Sequence, residues 1–266
     1  QTGSWDPALP GCTHSTMPAG SGRVRGTIPL PWSLTLTDTP ALLFPSRRFP
    51  TVPVTGEAAA FPVHRIFCVG RNYADHAKEM GTEVDREAPF YFTKSALALV
   101  GSGATIPYPP GTQNCHYEME LVIAIGAPVF RVEAGEAPGA IYGFACGLDM
   151  TRRDLQQAER VKQRPWDLGK DFENGAVIAP ITPATRFALG EQRIRLSQNG
   201  TVKQESQLSD MVWSAAELIS HLSRFYHLAP GDLLYTGTPA GVSAIERGDV
   251  LSARIDGLEA LQVKIV

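Results

Sequence analysis

From Val63 onward the chain breaks into short apolar runs bounded by Gly, Pro and Asp, a texture of strands more than of helices. Ile66–Gly70 is an apolar run ending in glycine, and further strands are expected at Phe90–Phe92, Glu118–Ile125 and Ala140–Asp149. Residues 193–198 and 201–205 flank Asn199-Gly200, the strongest short hairpin signal in the chain. The tail alternates Leu233–Thr236, Val250–Ile255 and Leu261–Ile265 with turns of Gly, Pro and Asp. Helical composition is confined to three places: Tyr73–Met80, a segment from near Thr151 through Arg160, and an apolar-periodic stretch from Ser214 through Phe225. In the last, Glu217 stands at capping-box spacing from Ser214. Many short strands around two or three helices predict a strand-dominated α+β domain. Residues 1–60 are rich in Gly, Pro, Ser and Thr and patterned only in pieces such as Trp32–Leu36. They read as an irregular N-terminal extension to a domain spanning 61–266, with Met17 a candidate native start.

Composition narrows the function classes. With 43% hydrophobic residues among 266, the chain can bury a substantial core. Its 24 basic and 27 acidic residues leave a net charge of −3, so no broad attraction to nucleic acid or an anionic membrane is expected and charged chemistry must be local. No run approaches the roughly 20 apolar residues of a membrane span. Gln1-Thr2-Gly3-Ser4 lacks the basic-then-apolar pattern of a secretory leader. Cys12, Cys68, Cys115 and Cys146 have no CxxC spacing and sit in apolar or mixed contexts, which suits reduced thiols in a cytoplasmic protein.

Glu118-Met119-Glu120 leads directly into Leu121–Ile125, so period-two alternation puts both carboxylates on one face. Like charges beside a buried strand need positive compensation, which a divalent cation supplies directly; an ExE pair also suits the solvated edge of an amphipathic strand. Asp149 ends a second apolar strand, at a position that equally suits a helix N-cap. Three carboxylates with no His or Cys partner select Mg²⁺, Mn²⁺ or Ca²⁺ over zinc. Arg153 and Gln156, three apart, share a helix face, and with Lys170 they are candidate oxyanion donors or else solvated surface groups. His76 and Glu79 are also three apart: a carboxylate that fixes the imidazole tautomer makes a general-base dyad, and the same spacing describes an ordinary surface pair. His116 is expected on the Glu118 and Glu120 face, as support for the site. His14, His64, His221 and His227 show no partner pattern.

In order and wording these segments resemble the fumarylacetoacetate hydrolase family over about Pro62 to Val266. The resemblance is carried by Val69-Gly70-Arg71-Asn72-Tyr73-Ala74-Asp75-His76, Phe92-Thr93-Lys94 and His116-Tyr117-Glu118-Met119-Glu120-Leu121. It continues through Leu148-Asp149-Met150-Thr151-Arg152-Arg153-Asp154-Leu155-Gln156, Pro165-Trp166-Asp167-Leu168-Gly169-Lys170 and Thr236-Gly237-Thr238-Pro239-Ala240-Gly241-Val242. Within the family the chain is most similar to the acylpyruvate-hydrolase branch. Through Arg86–Phe92 and Pro107–Thr112 it is similar to the bacterial members that act on fumarylpyruvate in gentisate degradation. The resemblance implies a mixed β-roll, a homodimer, and Mg²⁺ or Mn²⁺ held by Glu118, Glu120 and Asp149. It implies that His76 and Glu79 lie on a lid over the substrate, and that Arg153, Gln156 and Lys170 occupy oxyanion and substrate-binding positions. Arg71, Tyr73, Lys94 and Thr238 match positions near the substrate acid, while Ser95 departs from the proline usual after that lysine.

The activity so implied is hydrolysis of a carbon–carbon bond in a small dioxo acid, an acylpyruvate, yielding fumarate and pyruvate from fumarylpyruvate. His76 would activate the water and the ion would stabilise the departing enolate. Oxaloacetate decarboxylation passes through the same enolate, and isomerase or hydratase chemistry on related dioxo or 2-hydroxydienoic acids suits the same scaffold. A metal-stabilised keto-acid sensor would need no general base. No GxSxG elbow points to a covalent route.

Overall fold

The computed structural model describes residues 42–266 except Thr82 and Val84. Cys12, His14, Met17 and the Trp32–Leu36 run lie outside the described residues. Residues 42–46, the described part of an N-terminal unit Gln1–Ser46, are exposed and carry no helix or strand. The second unit, Arg47–Val266, contains every element described below.

Its first part holds β1 (Thr51–Val52), β2 (Phe61–Pro62), β3 (Arg65–Gly70), helix α1 (Ala74–Glu79), β4 (Phe90–Lys94), β5 (Leu99–Gly101), β6 (Thr105–Ile106) and β7 (Cys115–His116). Next come β8 (Met119–Ile125), β9 (Ile141–Asp149), β10 (Thr151–Arg152), α2 (Arg153–Val161), the one-turn α3 (Asp167–Lys170), β11 (Ala176–Ile178) and β12 (Thr182–Pro183). The hairpin β13 (Arg193–Gln198) and β14 (Thr201–Gln207), helix α4 (Ala215–Leu222), and β15 (Asp232–Tyr235), β16 (Val250–Ile255) and β17 (Leu261–Ile265) follow. A mixed sheet runs β4-β3-β15-β8-β9-β11-β5, with β12 also on β9; a second runs β14-β13-β16-β17-β6. The class is the expected strand-dominated α+β, built on curled mixed sheet.

Strand β8 explains why the sequence there is continuously apolar. Every residue of it is buried. Met119, Leu121, Ile123 and Ile125 join one core cluster with Leu218 and Ile219 of α4 and Ile194 and Leu196 of β13, while Val122 and Ala124 join a second with Val52, Phe61 and Ile178. A sheet covered on both faces needs no polar side, so alternation disappears. Each fully buried Leu or Ile there contributes about 1.5–3 kcal/mol.

Two turns form as the residues require. Asn199 and Gly200 have φ of 53° and 81°, the paired positive values of a tight hairpin. At α4, Ser214 Oγ accepts the Glu217 N–H at 3.3 Å and the Ser214 N–H donates to Glu217 Oε2 at 2.8 Å, the reciprocal cap read from the sequence. The helix stops at Leu222 rather than Phe225, because Ser223 to Tyr226 turn back with bonds to Leu222 and its neighbours. Asp149 does not cap α2: β10 intervenes, and Arg152 holds the cap position without a side-chain bond. Val52 and Val54 are buried in the second cluster, so residues 47–60 pack with the unit that carries the remaining elements. Among the described residues no helix is long and apolar enough to cross a membrane. Cys68, Cys115 and Cys146 are buried free thiols.

Candidate active site

The pairing of β8 with β9 assembles three acids. Glu120 lies opposite Gly147, and the Asp149 N–H donates to the Glu118 carbonyl at 2.9 Å, so Glu118, Glu120 and Asp149 meet at one end of the two strands. One carboxylate oxygen from each lies within 4.8 Å of the others, and all three residues are buried. Gly147 makes room: a Cβ there would overlap Val122 and lie 2.7 Å from the Tyr235 ring.

Buried carboxylates persist only with nearby positive charge or hydrogen-bond donors. Lys170 Nζ donates to Glu118 Oε2 at 2.8 Å, to Asp149 Oδ2 at 2.7 Å and to Thr151 Oγ1 at 2.7 Å. Arg153 Nη2 donates to Glu118 Oε1 at 2.5 Å. Burial alone would raise the Glu118 pKa, yet Lys170, Arg153 and His76 together hold it below the ordinary carboxylate range. Glu120 receives only the Gly237 N–H, at 2.7 Å, among the described hydrogen bonds. Burial first, then Asp149 and Glu118, push its carboxyl well above the usual value. For Lys170, burial is the largest single influence and opposes the charge, but Asp149 and Glu118 outweigh it and its pKa is raised.

The donor set fits a hard divalent cation. All three ligands are oxygen, and Asp149 Oδ1 is buried without a hydrogen bond. Lys94 Nζ forms a buried ion pair with that oxygen at 2.8 Å.

Glu118 and Glu120 open into a cavity whose wall also includes Arg71, His76, Arg153, Gln156, Lys170 and Thr238, while Asp149 lies behind that wall. On α2, Arg153 Nη1 donates to Gln156 Oε1 at 2.6 Å. The glycine before Lys170 lets α3 seat against that helix: a Cβ on Gly169 would lie 2.8 Å from Gln156 Cβ. On α1, His76 Nδ1 is 3.1 Å from Glu79 Oε2, and the Glu79 carboxylate also accepts the Gly241 N–H. The dyad and the acids therefore share one site, although Glu79 itself sits behind His76 rather than on the wall.

Three further candidate residues lie off the cavity wall. Lys94 shares the β4 face with Phe92 but lies deeper, with its side chain wholly inaccessible. Its Nζ donates to the Met150 carbonyl at 3.0 Å and to the Lys170 carbonyl, so it buttresses Asp149 and is off the cavity wall. Tyr73 forms the N-terminal boundary of α1; its hydroxyl is buried without a hydrogen bond, and burial followed by Glu120 raises its pKa. His116 bonds Asn114 Oδ1 through Nε2 at 2.9 Å and is also off the wall; burial and then Arg153 depress it to about 4.

Two supporting residues escaped the sequence reading. Asn72 is fully buried, donating to the carbonyls of Thr236 (2.8 Å) and Trp213 (3.0 Å), and so ties the turn before α1 to the Gly237 loop. Gln204, also fully buried, accepts the Met119 N–H at 3.0 Å and donates to Thr238 Oγ1 at 2.8 Å. Asn72 lies inside the Val69–His76 motif, whereas Gln204 is one of several polar residues of β14 and differs from them only in being buried, which the sequence does not mark.

Residues 65–266 match the family model described as fumarylacetoacetate (FAA) hydrolase, C-terminal. Over 188 residues the chain is 51% identical to a fumarylpyruvate hydrolase of Ralstonia sp, covering 70% of this chain and 98% of that relative. It is 35% identical over 204 residues to an oxaloacetate tautomerase of Escherichia coli (strain K12), covering 76% and 93% respectively. The crystal structure of fumarylpyruvate hydrolase from Pseudomonas aeruginosa in complex with Mn²⁺ and pyruvate is similar with a TM-score of 0.82 and 44% identity, over 85% of this chain and 99% of that one.

Proposed function

Because the chain belongs to the fumarylacetoacetate hydrolase family, we propose that its cavity hydrolyses the carbon–carbon bond of an acylpyruvate, with fumarylpyruvate cleaved to fumarate and pyruvate. The observation that carries this reading is the meeting, at one cavity, of an imidazole held by a carboxylate with Glu118 and Glu120, which Asp149 joins from behind the wall with one oxygen of each within 4.8 Å of the others.

Glu118, Glu120 and Asp149 hold Mg²⁺ or Mn²⁺, which when bound polarises the 2-keto acid and favours the enolate. His76, with Nδ1 directed at Glu79, presents Nε2 to a water and takes its proton as that water attacks the distal carbonyl. Arg153 and Gln156 donate to the oxyanion, and Lys170, whose three N–H donors go to Glu118, Asp149 and Thr151, stabilises it through its charge. Arg71 and Thr238, on the wall, contact the substrate's acid groups, while Tyr73 and Lys94 act from behind it, Lys94 by holding Asp149. Catalysis is assigned to residues 61–266, with 1–60 preceding it. A homodimer, a reducing cytoplasm and a place in gentisate degradation complete the proposal; three buried free cysteines accord with the second.

The similarity to an oxaloacetate tautomerase favours a second reading, enolate chemistry on oxaloacetate by tautomerisation or decarboxylation. Assays of fumarylpyruvate, acetylpyruvate and oxaloacetate with Mg²⁺ and with Mn²⁺, with products identified, separate the two. Stoichiometric fumarate and pyruvate are expected from fumarylpyruvate. Turnover of oxaloacetate alone would replace the hydrolase reading with the second.

A further inference from the structure

The same cavity wall carries a second basic residue that no step above uses. Arg71 and Arg160 both line it and both are half-buried, yet neither forms an ion pair among the described residues. Arg160 Nη1 donates to the Met80 carbonyl at 3.3 Å, which leaves most of its five N–H donors free. Arg71 lies 5.9 Å from the Phe90 ring centroid. It is held at φ 61°, a left-handed conformation unfavourable for any residue with a β-carbon and retained where the surroundings over-determine it. Burial and then the charge of Arg160 lower the Arg71 pKa, which marks two like charges near enough to repel. An anion between them relieves that repulsion.

Helix α2 sets where that anion would sit. Arg153, Gln156 and Arg160 recur at i, i+3 and i+7 on one face, and the four residues from Gln156 to Arg160 advance about 6 Å along the axis. Arg160 thus stands one turn beyond the donors that serve the reacting carbonyl. Phe92 and Trp166, with ring centroids 6.1 Å apart, form an apolar wall of the same cavity. A flat unsaturated acyl chain lies well against such rings, and in a fumaryl group a second carboxylate follows two carbons beyond the reacting carbonyl.

We propose that Arg71 and Arg160 form a distal carboxylate subsite that selects acylpyruvates whose acyl group ends in a free acid. The inference rests on the hydrolase reading for its catalytic consequence, and its binding consequence is measurable without turnover. The test compares wild type with Arg160→Gln on fumarylpyruvate and acetylpyruvate, and measures calorimetrically how the Mn²⁺-loaded proteins bind fumarate and crotonate, which has a methyl where fumarate has its second carboxylate. The ratio of the two kcat/KM values is expected to fall by roughly 10- to 100-fold, the weight of one charge-assisted hydrogen-bonding group. Fumarate should lose its advantage over crotonate by a similar factor, with Tm unchanged. An equal fall on both substrates would overturn the proposal and leave Arg160 as the tether of α1 through Met80. An unchanged ratio, with fumarate and crotonate unaffected, would also overturn it. If wild type hydrolyses neither substrate, the hydrolase reading fails; a fumarate preference that Arg160→Gln removes would still uphold the subsite, and its absence would end both.

Discussion

The Gly241 N–H points at the Glu79 carboxylate from 162 positions away in the chain, at 3.1 Å. Glu79 therefore joins α1 to the loop after Gly237 while it faces His76 Nδ1. Glu79→Gln is expected to keep the loop contact, since an amide oxygen still accepts. Its NH₂ then faces Nδ1 and favours the tautomer protonated at Nε2, which cannot act as a base. His76→Ala should lower kcat by roughly 10² to 10⁴ with little change in substrate binding, and Glu79→Gln should move in the same direction. Steady-state kinetics and the pH profile of kcat check both; a near-normal kcat in His76→Ala reassigns water activation.

Chelation should abolish turnover, and added Mn²⁺ should restore it and raise Tm, since an ion that binds only the folded state stabilises it. Asp149→Asn and Glu118→Gln each remove a unit of ligand charge. Both should weaken Mn²⁺ binding by at least tenfold in calorimetric titration, on the order of the loss that disturbed metal shells show. Circular dichroism should show these variants folded, as expected of a catalytic rather than a structural ion.

Hydrolysis needs an activated water and the enolate does not. His76→Ala should therefore depress fumarylpyruvate cleavage far more than any activity on oxaloacetate, while Asp149→Asn depresses both. Equal loss of both activities in a folded, metal-loaded His76→Ala protein would indicate a role in closing α1 over the substrate.

Gly237 has φ 97°, and a Cβ there would lie 2.7 Å from Asn72 Cβ. Gly237→Ala should cost about 1–3 kcal/mol in urea unfolding, the usual range for a residue forced into a sparsely allowed conformation. It should also lower activity, because the Gly237 N–H holds Glu120.

The α4 cap gives a pH-dependent test away from the site. Hydrogen bonds from the Ser214 backbone and side chain, the leading causes, hold Glu217 below its ordinary value. A depressed carboxyl contributes stability above its unfolded pKa and loses it as pH falls through the folded value. Ser214→Ala should cost about 1 kcal/mol near neutral pH, and the difference should shrink in acid as Glu217 protonates in both proteins. Thermal melts from pH 7 down to pH 3 or so read it.

What was legible in the sequence was what has a local period. Glu118 and Glu120 share a face because strands alternate, His76 and Glu79 meet because helices bring i and i+3 together, and Asn199-Gly200 turns because both residues accept positive φ. Two- and three-residue strands such as β1, β6, β10 and β12 are too short to show any period. Gln204 and Asn72 are bonded to partners 85 and 164 positions away, which no local pattern encodes. Lys94 shows a subtler limit: alternation predicts its face, but depth within the molecule depends on what packs above it, here Lys170 and Phe172.

The β8–β9 pairing carries one more consequence. A slip of one residue between two strands exchanges their faces, so it would turn Asp149 away from Glu118 and Glu120. With both faces of β8 buried, hydrophobic burial alone discriminates weakly between the two alignments. Only the native one brings the three oxygens together, so a cation present during folding would act as a proofreader of strand alignment, rewarding the correct register and no other.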